Sequence, residues 1–206
     1  MYEVEFKIRA PHAEVKAALE DADAHHVETV VQEDTYYDAP DRNFAETDEA
    51  LRVRTEETAD ERRVLLTYKG PLVGETSKTR AEAETPVGDA DALRSILDGL
   101  GYDPAATVQK ERTRYVLDDC LVTLDTVAGL GEFVEVEYAA GEGTVDTDSD
   151  TGGEADIETG GKASVETEAD IDAAREQATR VLESLGLSVD EQIRTSYLEL
   201  VLAEEQ

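Results

Sequence analysis

Residues 2–9 alternate strictly: Tyr2, Val4, Phe6 and Ile8 fall on one face, Glu3, Glu5, Lys7 and Arg9 on the other. A period of two predicts a strand with one apolar and one charged face. Pro11 can open a helix, and Val15, Ala18 and Leu19 recur at helical spacing, which predicts a helix over 11–22. The β-branched and aromatic stretch 28–38 (ETVVQEDTYYD) predicts a second strand. Short strands follow near 50–57, 62–69 and 78–87, set apart by polar or Gly-Pro punctuation. Asp89 caps a predicted helix over 90–99, with Leu93, Ile96, Leu97 and Leu100 on its stripe and Gly101 at its end. Strands resume at 107–118, 121–127 and 132–139, making eight in all.

Residues 140–169 break the pattern. They are Gly, Thr, Asp and Glu with few large apolar groups, and cannot bury enough surface to order themselves. They are expected to form an acidic, disordered loop inserted into a single domain spanning 1–206. A helix over 170–185 and a final helix over 195–204 (Tyr197, Leu198, Val201, Leu202) complete an α+β chain.

Composition narrows the function classes. The 206 residues carry 50 acids against 19 bases, a formal net charge of −31. Such a surface repels nucleic-acid phosphates and anionic membranes, so neither is an expected partner. Acids spread along the whole chain fit a protein kept soluble in a very salty cytosol, where self-repulsion is screened. No apolar run approaches the ~20 residues of a membrane span, and Glu3 and Glu5 interrupt any leader. The chain is expected to be cytoplasmic. The lone Cys120 permits no internal disulfide.

Against this scarcity of bases, the strands place charged residues at i and i+2 again and again. Lys7, Arg52, Arg54, Lys69, Arg80, Lys110 and Arg112 are such bases, and Glu3, Glu5, Glu82, Glu84, Asp125, Glu135 and Glu137 such acids. One strand of this kind reads as a solvated face. Taken together, and if the sheet closes on itself, these faces point inward. The result is a barrel with a charged lumen and helices packed outside. An apolar lumen would be more stable, since each unpaired buried ion costs several kcal/mol. Ligand chemistry can justify the charges. Arg and Lys grip phosphate oxygens, and clustered carboxylates hold hard cations such as Mg²⁺ or Mn²⁺. A zinc site is excluded by ligand poverty: Cys120 is alone, and His12, His25 and His26 lack partners at ligand spacing. Neither Gly70-Pro71 nor Gly129-Leu130-Gly131 has the spacing of a phosphate loop, and no nucleophile elbow is present.

The ordered set EVEFK (3–7), DTYYD (34–38), LRVR (51–54), TYKG (67–70), RAEAE (80–84), LGYDPAATVQKERTRY (100–115) and LDTVAGLGEFVEVE (124–137) resembles the CYTH superfamily, the triphosphate tunnel metalloenzymes. Within it the chain looks most like the class IV adenylyl cyclases. The resemblance implies an eight-stranded antiparallel β-barrel forming a tunnel, in a monomer or homodimer. It implies two divalent metals, Mg²⁺ or Mn²⁺, on Glu3, Glu5, Asp125, Glu135 and Glu137. It places the triphosphate on Lys7, Arg52, Arg54, Lys69, Arg80, Lys110 and Arg112, with Glu3, Glu5, Lys7 and Lys69 at the chemistry. Glu82 and Glu84 are further tunnel acids. The implied reaction converts ATP to 3′,5′-cyclic AMP and pyrophosphate. The alternatives are hydrolysis of thiamine triphosphate, tripolyphosphate or a nucleotide, and simple binding of organic phosphates. The bases are expected to repel one another in the empty barrel, so removing Lys69 or Arg112 should cost little stability.

Overall fold

The computed structural model describes residues 4–72, 80–138 and 168–204; Glu3, expected among the site acids, lies outside these, as does most of the acidic stretch 140–169. The described residues form eight antiparallel strands and five α-helices, in the order β1 (Glu5–Arg9), α1 (His12–Asp21), β2 (His25–Asp38), α2 (Phe44–Thr47), β3 (Ala50–Glu57), β4 (Arg62–Leu72), β5 (Arg80–Pro86), α3 (Ala90–Gly99), β6 (Asp103–Leu117), β7 (Cys120–Val127), β8 (Gly131–Tyr138), α4 (Glu168–Ser184) and α5 (Tyr197–Glu204). The short α2 and a 3₁₀ turn at Val189–Glu191 were not apparent from periodicity. No described helix is long and apolar enough to cross a membrane.

The strands form one sheet in the order β1-β8-β7-β6-β2-β3-β4-β5, curled into a barrel with a seam between β1 and β5. The seam has a physical cause. The outer edge of β1 is already taken by the segment before α5: Gln192 bridges Ile8, and the Ile193 N–H donates to the Lys7 carbonyl at 2.7 Å. Those groups would otherwise have to pair with β5 to close the barrel.

The pleat sorts the residues. Phe6 and Ile8 of β1, Val122 and Leu124 of β7, and Val134 and Val136 of β8 face outward. They are buried under Val15 and Leu19 of α1 and Ala174, Ala178, Val181 and Leu182 of α4. Further round the sheet, Leu97 of α3 covers Tyr37 and Val53, with Leu93 packed alongside. Both groups are the expected outer layer of helices on an apolar sheet face. The C-terminal helix behaves differently. Tyr197 packs with Val108, Val127, Leu130 and Phe133, and Leu200 and Val201 pack against the same group. Val108, Val127 and Phe133 lie two residues from Lys110, Asp125 and Glu135 along their strands, on the same face. So α5 covers one end of the inner face.

Candidate functional site: an ion-paired lumen

Register puts the alternating charges of neighbouring strands side by side. Across β1, β8, β7 and β6, Lys7 lies opposite Glu135, Glu135 opposite Thr123, and Arg112 opposite Asp125. Across β2, β3, β4 and β5, Asp34 lies opposite Arg54, Arg52 opposite Thr67, and Thr67 opposite Glu84. Each strand supplies an i, i+2 pair to this inner face, so two banks of charge arise directly from the alternation.

In the first bank the Arg112 guanidinium clamps Asp125 in parallel, Nε to Oδ1 at 2.7 Å and Nη2 to Oδ2 at 2.5 Å. The same Nη2 reaches Glu135 Oε2 at 2.5 Å. Lys7 Nζ lies 3.4 Å from Glu135 Oε1, and Lys110 Nζ 3.4 Å from Asp125 Oδ2. The Tyr197 ring spans both lysines, its centroid 4.3 Å from Lys7 Nζ and 4.9 Å from Lys110 Nζ. These strands are up to three intervals apart, about 14 Å across a flat sheet, so a single ring touching both reflects the curl.

Electrostatics follow from burial. Asp125 is 0% exposed. Burial alone would raise its pKa, but the charge and hydrogen bonds of Arg112 overcome this and hold it well below the carboxylate range. Glu135 is lowered likewise, burial being outweighed chiefly by Arg112. Lys110 shifts the other way. Burial, helped by the neighbouring Arg112 charge, pulls it down to about 7. Burial and the charges of Glu135 and Asp125 raise the Tyr197 phenol, keeping it protonated. Its buried hydroxyl lies toward Asp125 but makes no full hydrogen bond to any described residue.

In the second bank Arg54 clamps Asp34 at 2.6 and 2.7 Å. Arg52 lies 3.5 Å from Asp34 and 3.8 Å from Glu84, and Thr67 donates to Glu84 at 2.7 Å. Burial would raise Asp34; the Arg54 hydrogen bonds and charge bring it below its usual value. Beyond Arg54 the wall continues with Glu56, held by Arg63 at 2.6 Å and by the Gln32 amide. Arg114 and Glu28 pair at the far edge.

The structure thus brings Lys7, Lys110, Arg112, Asp125 and Glu135 into one network, and Arg52, Arg54 and Glu84 into another. Lys69 is opposite Glu82 in the β4–β5 register, and Arg80 opens β5; the side chains of Arg80 and Glu82 lie outside the described set. Glu5 sits directly opposite Glu137. Sequence reasoning passed over Asp34, Gln32, Glu56 and Tyr197. Gln32, Asp34 and Tyr36 continue the two-residue period, and Glu56 extends the series of Arg52 and Arg54, so the signal was present for three of the four. One expectation is corrected: Arg112 is not a cation among repelling cations but the hydrogen-bonded partner of two buried carboxylates.

The Arg54–Asp34 clamp gives a first prediction. Arg54→Lys should keep the charge and lose the parallel pair, because an ammonium is a point donor. Stability should fall by roughly 1–3 kcal/mol, the cost of a buried polar group left partly unsatisfied. Chemical denaturation of the two proteins measures it.

Among the described residues no three acidic, His or Cys groups converge in a metal-ligating cluster. The donor chemistry still fits a hard cation. Glu5 and Glu137 are direct cross-strand neighbours and Glu135 lies two residues along the same face, so three carboxylates, the oxygen donors a hard cation prefers, share this end of the wall.

A curled antiparallel barrel whose inner wall is lined by clamped arginines, lysines and carboxylates defines a charged-tunnel protein. The chain belongs to the CYTH family: the CYTH domain model matches residues 1–149. It is 33% identical over 201 residues to a Methanocaldococcus jannaschii protein provisionally named adenylate cyclase, covering 97% of this chain and 98% of that one. It is 31% identical over 139 residues to the adenylate cyclase CyaB of Aeromonas hydrophila, covering 66% of this chain and 68% of that one. Among solved structures, a Pyrococcus horikoshii protein superposes with a TM-score of 0.75 at 34% identity, over 98% of this chain and 99% of that one.

Proposed function

We propose that the lumen binds a nucleoside triphosphate with divalent metal and cyclises ATP to 3′,5′-cyclic AMP and pyrophosphate. The observation that carries this reading is the pair of cationic banks, Lys7–Lys110–Arg112 and Arg52–Arg54, lining one inner face. Two relatives named as adenylate cyclases support the same direction.

In this mechanism Arg52, Arg54, Lys69 and Arg80 hold one part of the phosphate chain, and Lys7, Lys110 and Arg112 the other. Glu135 and Glu137, with Glu5 opposite and Glu3 before it, would hold Mg²⁺ or Mn²⁺. Such an ion, when bound, neutralises phosphate charge and acidifies the attacking hydroxyl. The ribose 3′-oxygen bonds to the α-phosphorus, the α,β-bridging P–O bond breaks, pyrophosphate departs and the hydroxyl proton is lost. The wall supplies orientation and charge that is already in place, the main requirements of phosphoryl chemistry. Asp34 acts one step back, fixing the Arg54 fork.

Product analysis tests the reaction. Purified protein with ATP and Mg²⁺ or Mn²⁺ in molar KCl should yield cyclic AMP and pyrophosphate in equal amounts. Tripolyphosphate supplied alone should stay largely intact. Orthophosphate without cyclic nucleotide would transfer the assignment to triphosphate hydrolysis.

A further inference from the structure

We infer that Glu135 is a placeholder that occupies Lys7 and Arg112 in the metal-free protein, so that these two cations are released to phosphate only when a metal ion draws this carboxylate away. The inference rests on the reading of the lumen as a metal–triphosphate site and assigns that site a coupling between its two ligands.

Glu135 lies 3.4 Å from Lys7 through one oxygen and 2.5 Å from Arg112 through the other. Both of its oxygens are therefore spent on the cations that phosphate would need. It is also only 8% exposed, so little bulk water competes for it. Its neighbours differ in kind. Asp125 is sealed at 0% exposure and clamped by Arg112, fixed by geometry that a ligand does not need to disturb. Glu84 is held by the Thr67 hydroxyl and only skirts Arg52 at 3.8 Å. Asp125 joins Arg112 to Lys110, whereas Glu135 joins Arg112 to Lys7 and also lies on the same face beside the Glu5–Glu137 pair, where the proposed cation would sit.

The exchange follows from charge. A polyphosphate arriving without metal must displace Glu135 from Lys7 and Arg112, leaving an unpaired buried carboxylate, which is strongly unfavourable. With metal present that carboxylate has a cation to receive it. Metal and triphosphate are then thermodynamically linked: each raises the affinity of the other by the same factor.

Calorimetry with tripolyphosphate in molar KCl tests this, since long-range attraction is then screened to about 3 Å and only contact effects survive. The wild-type protein should bind tripolyphosphate weakly in chelator and at least about ten-fold more tightly with Mn²⁺, within the usual range of coupling between sites. Glu135→Gln should bind metal-free tripolyphosphate about ten-fold more tightly than wild type and gain little from Mn²⁺. Glu135→Asp retains the charge with a shorter reach, and should shift the same way by less. This variant decides the matter if Glu135→Gln does not fold. Glu84→Gln should change metal-free affinity least. Equal tightening by Glu84→Gln, or unchanged or weaker metal-free binding by both Glu135 variants, would overturn the placeholder role. Absence of binding to wild type under every condition would instead remove the triphosphate reading beneath it.

Discussion

Arg112→Ala should lower the unfolding free energy by about 3–5 kcal/mol, the usual cost of breaking a buried ion pair by deleting one partner. For a chain of this size that corresponds to a fall in melting temperature of roughly 6–20 °C. The reason is local. Arg112 donates in parallel to Asp125, which is 0% exposed, and also reaches Glu135. Without the guanidinium, only the lysines remain near these two carboxylates, Lys110 at 3.4 Å from Asp125 and Lys7 at 3.4 Å from Glu135. Folded Asp125 is held below its unfolded value despite burial, chiefly by Arg112. It therefore contributes stability that is present at neutral pH and is lost as pH falls from about 4 through the depressed pKa. The variant lacks that contribution, so its deficit should be full at neutral pH and narrow in acid. Denaturant unfolding of both proteins at pH 7 and at about pH 2, well below the unfolded carboxylate pKa of about 4, measures this. Equal stabilities at pH 7 would mean that the bank is not a structural ion-pair network.

Triphosphate binding near pH 8 should take up about one proton, and apparent affinity should fall as pH rises above 7, by up to ten-fold per unit. The group responsible is Lys110, pulled down to about 7 first by burial and then by Arg112. The fold seals it: the Tyr197 ring of α5 lies 4.9 Å from its ammonium, and its contact with the Asp125 carboxylate is 3.4 Å long. In the free protein Lys110 is mostly neutral at pH 8. A phosphate oxygen at the same place favours the charged form and returns the proton. The empty fold should show the matching trend. A lysine with a depressed folded pKa binds fewer protons folded than unfolded between about 7 and 10.5, so stability rises with pH across that window. Calorimetry in two buffers of different ionisation enthalpy counts the proton. Lys110→Met should abolish the uptake; an unchanged proton count in that variant would assign the titration to another group.

Much of this architecture was legible as periodicity. The alternation at 2–9 gave β1 its apolar and charged faces, and the same period in 50–57 and 132–139 placed Arg52, Arg54, Glu135 and Glu137 on the inner wall. What periodicity could not supply was register. It shows that Arg112 and Asp125 each face inward, but only the β6–β7 pairing puts them opposite one another. Hence a set of bases that seemed mutually repulsive proved to be interleaved with acids. The seam was hidden for a similar reason. Gln192 and Ile193 lie far along the chain from β1, and nothing in their sequence marks them as its edge partners. The stripe of α5 announced an amphipathic helix, yet not that its Tyr197 would lie over Lys7 and Lys110 inside the curl. Asp34 was passed over because its neighbours Tyr36 and Tyr37 made 28–38 read as a packing strand.

We propose that this inner face holds a metal–triphosphate complex. Its most direct test is a crystal structure with Mn²⁺ and an ATP analogue whose α,β-bridge is a methylene group, recorded with manganese anomalous scattering. Anomalous density should appear beside Glu135 and Glu137, with phosphates against Arg52, Arg54, Lys110 and Arg112. Nucleotide bound elsewhere, with the Arg112–Asp125–Glu135 and Arg54–Asp34 networks undisturbed, would contradict it.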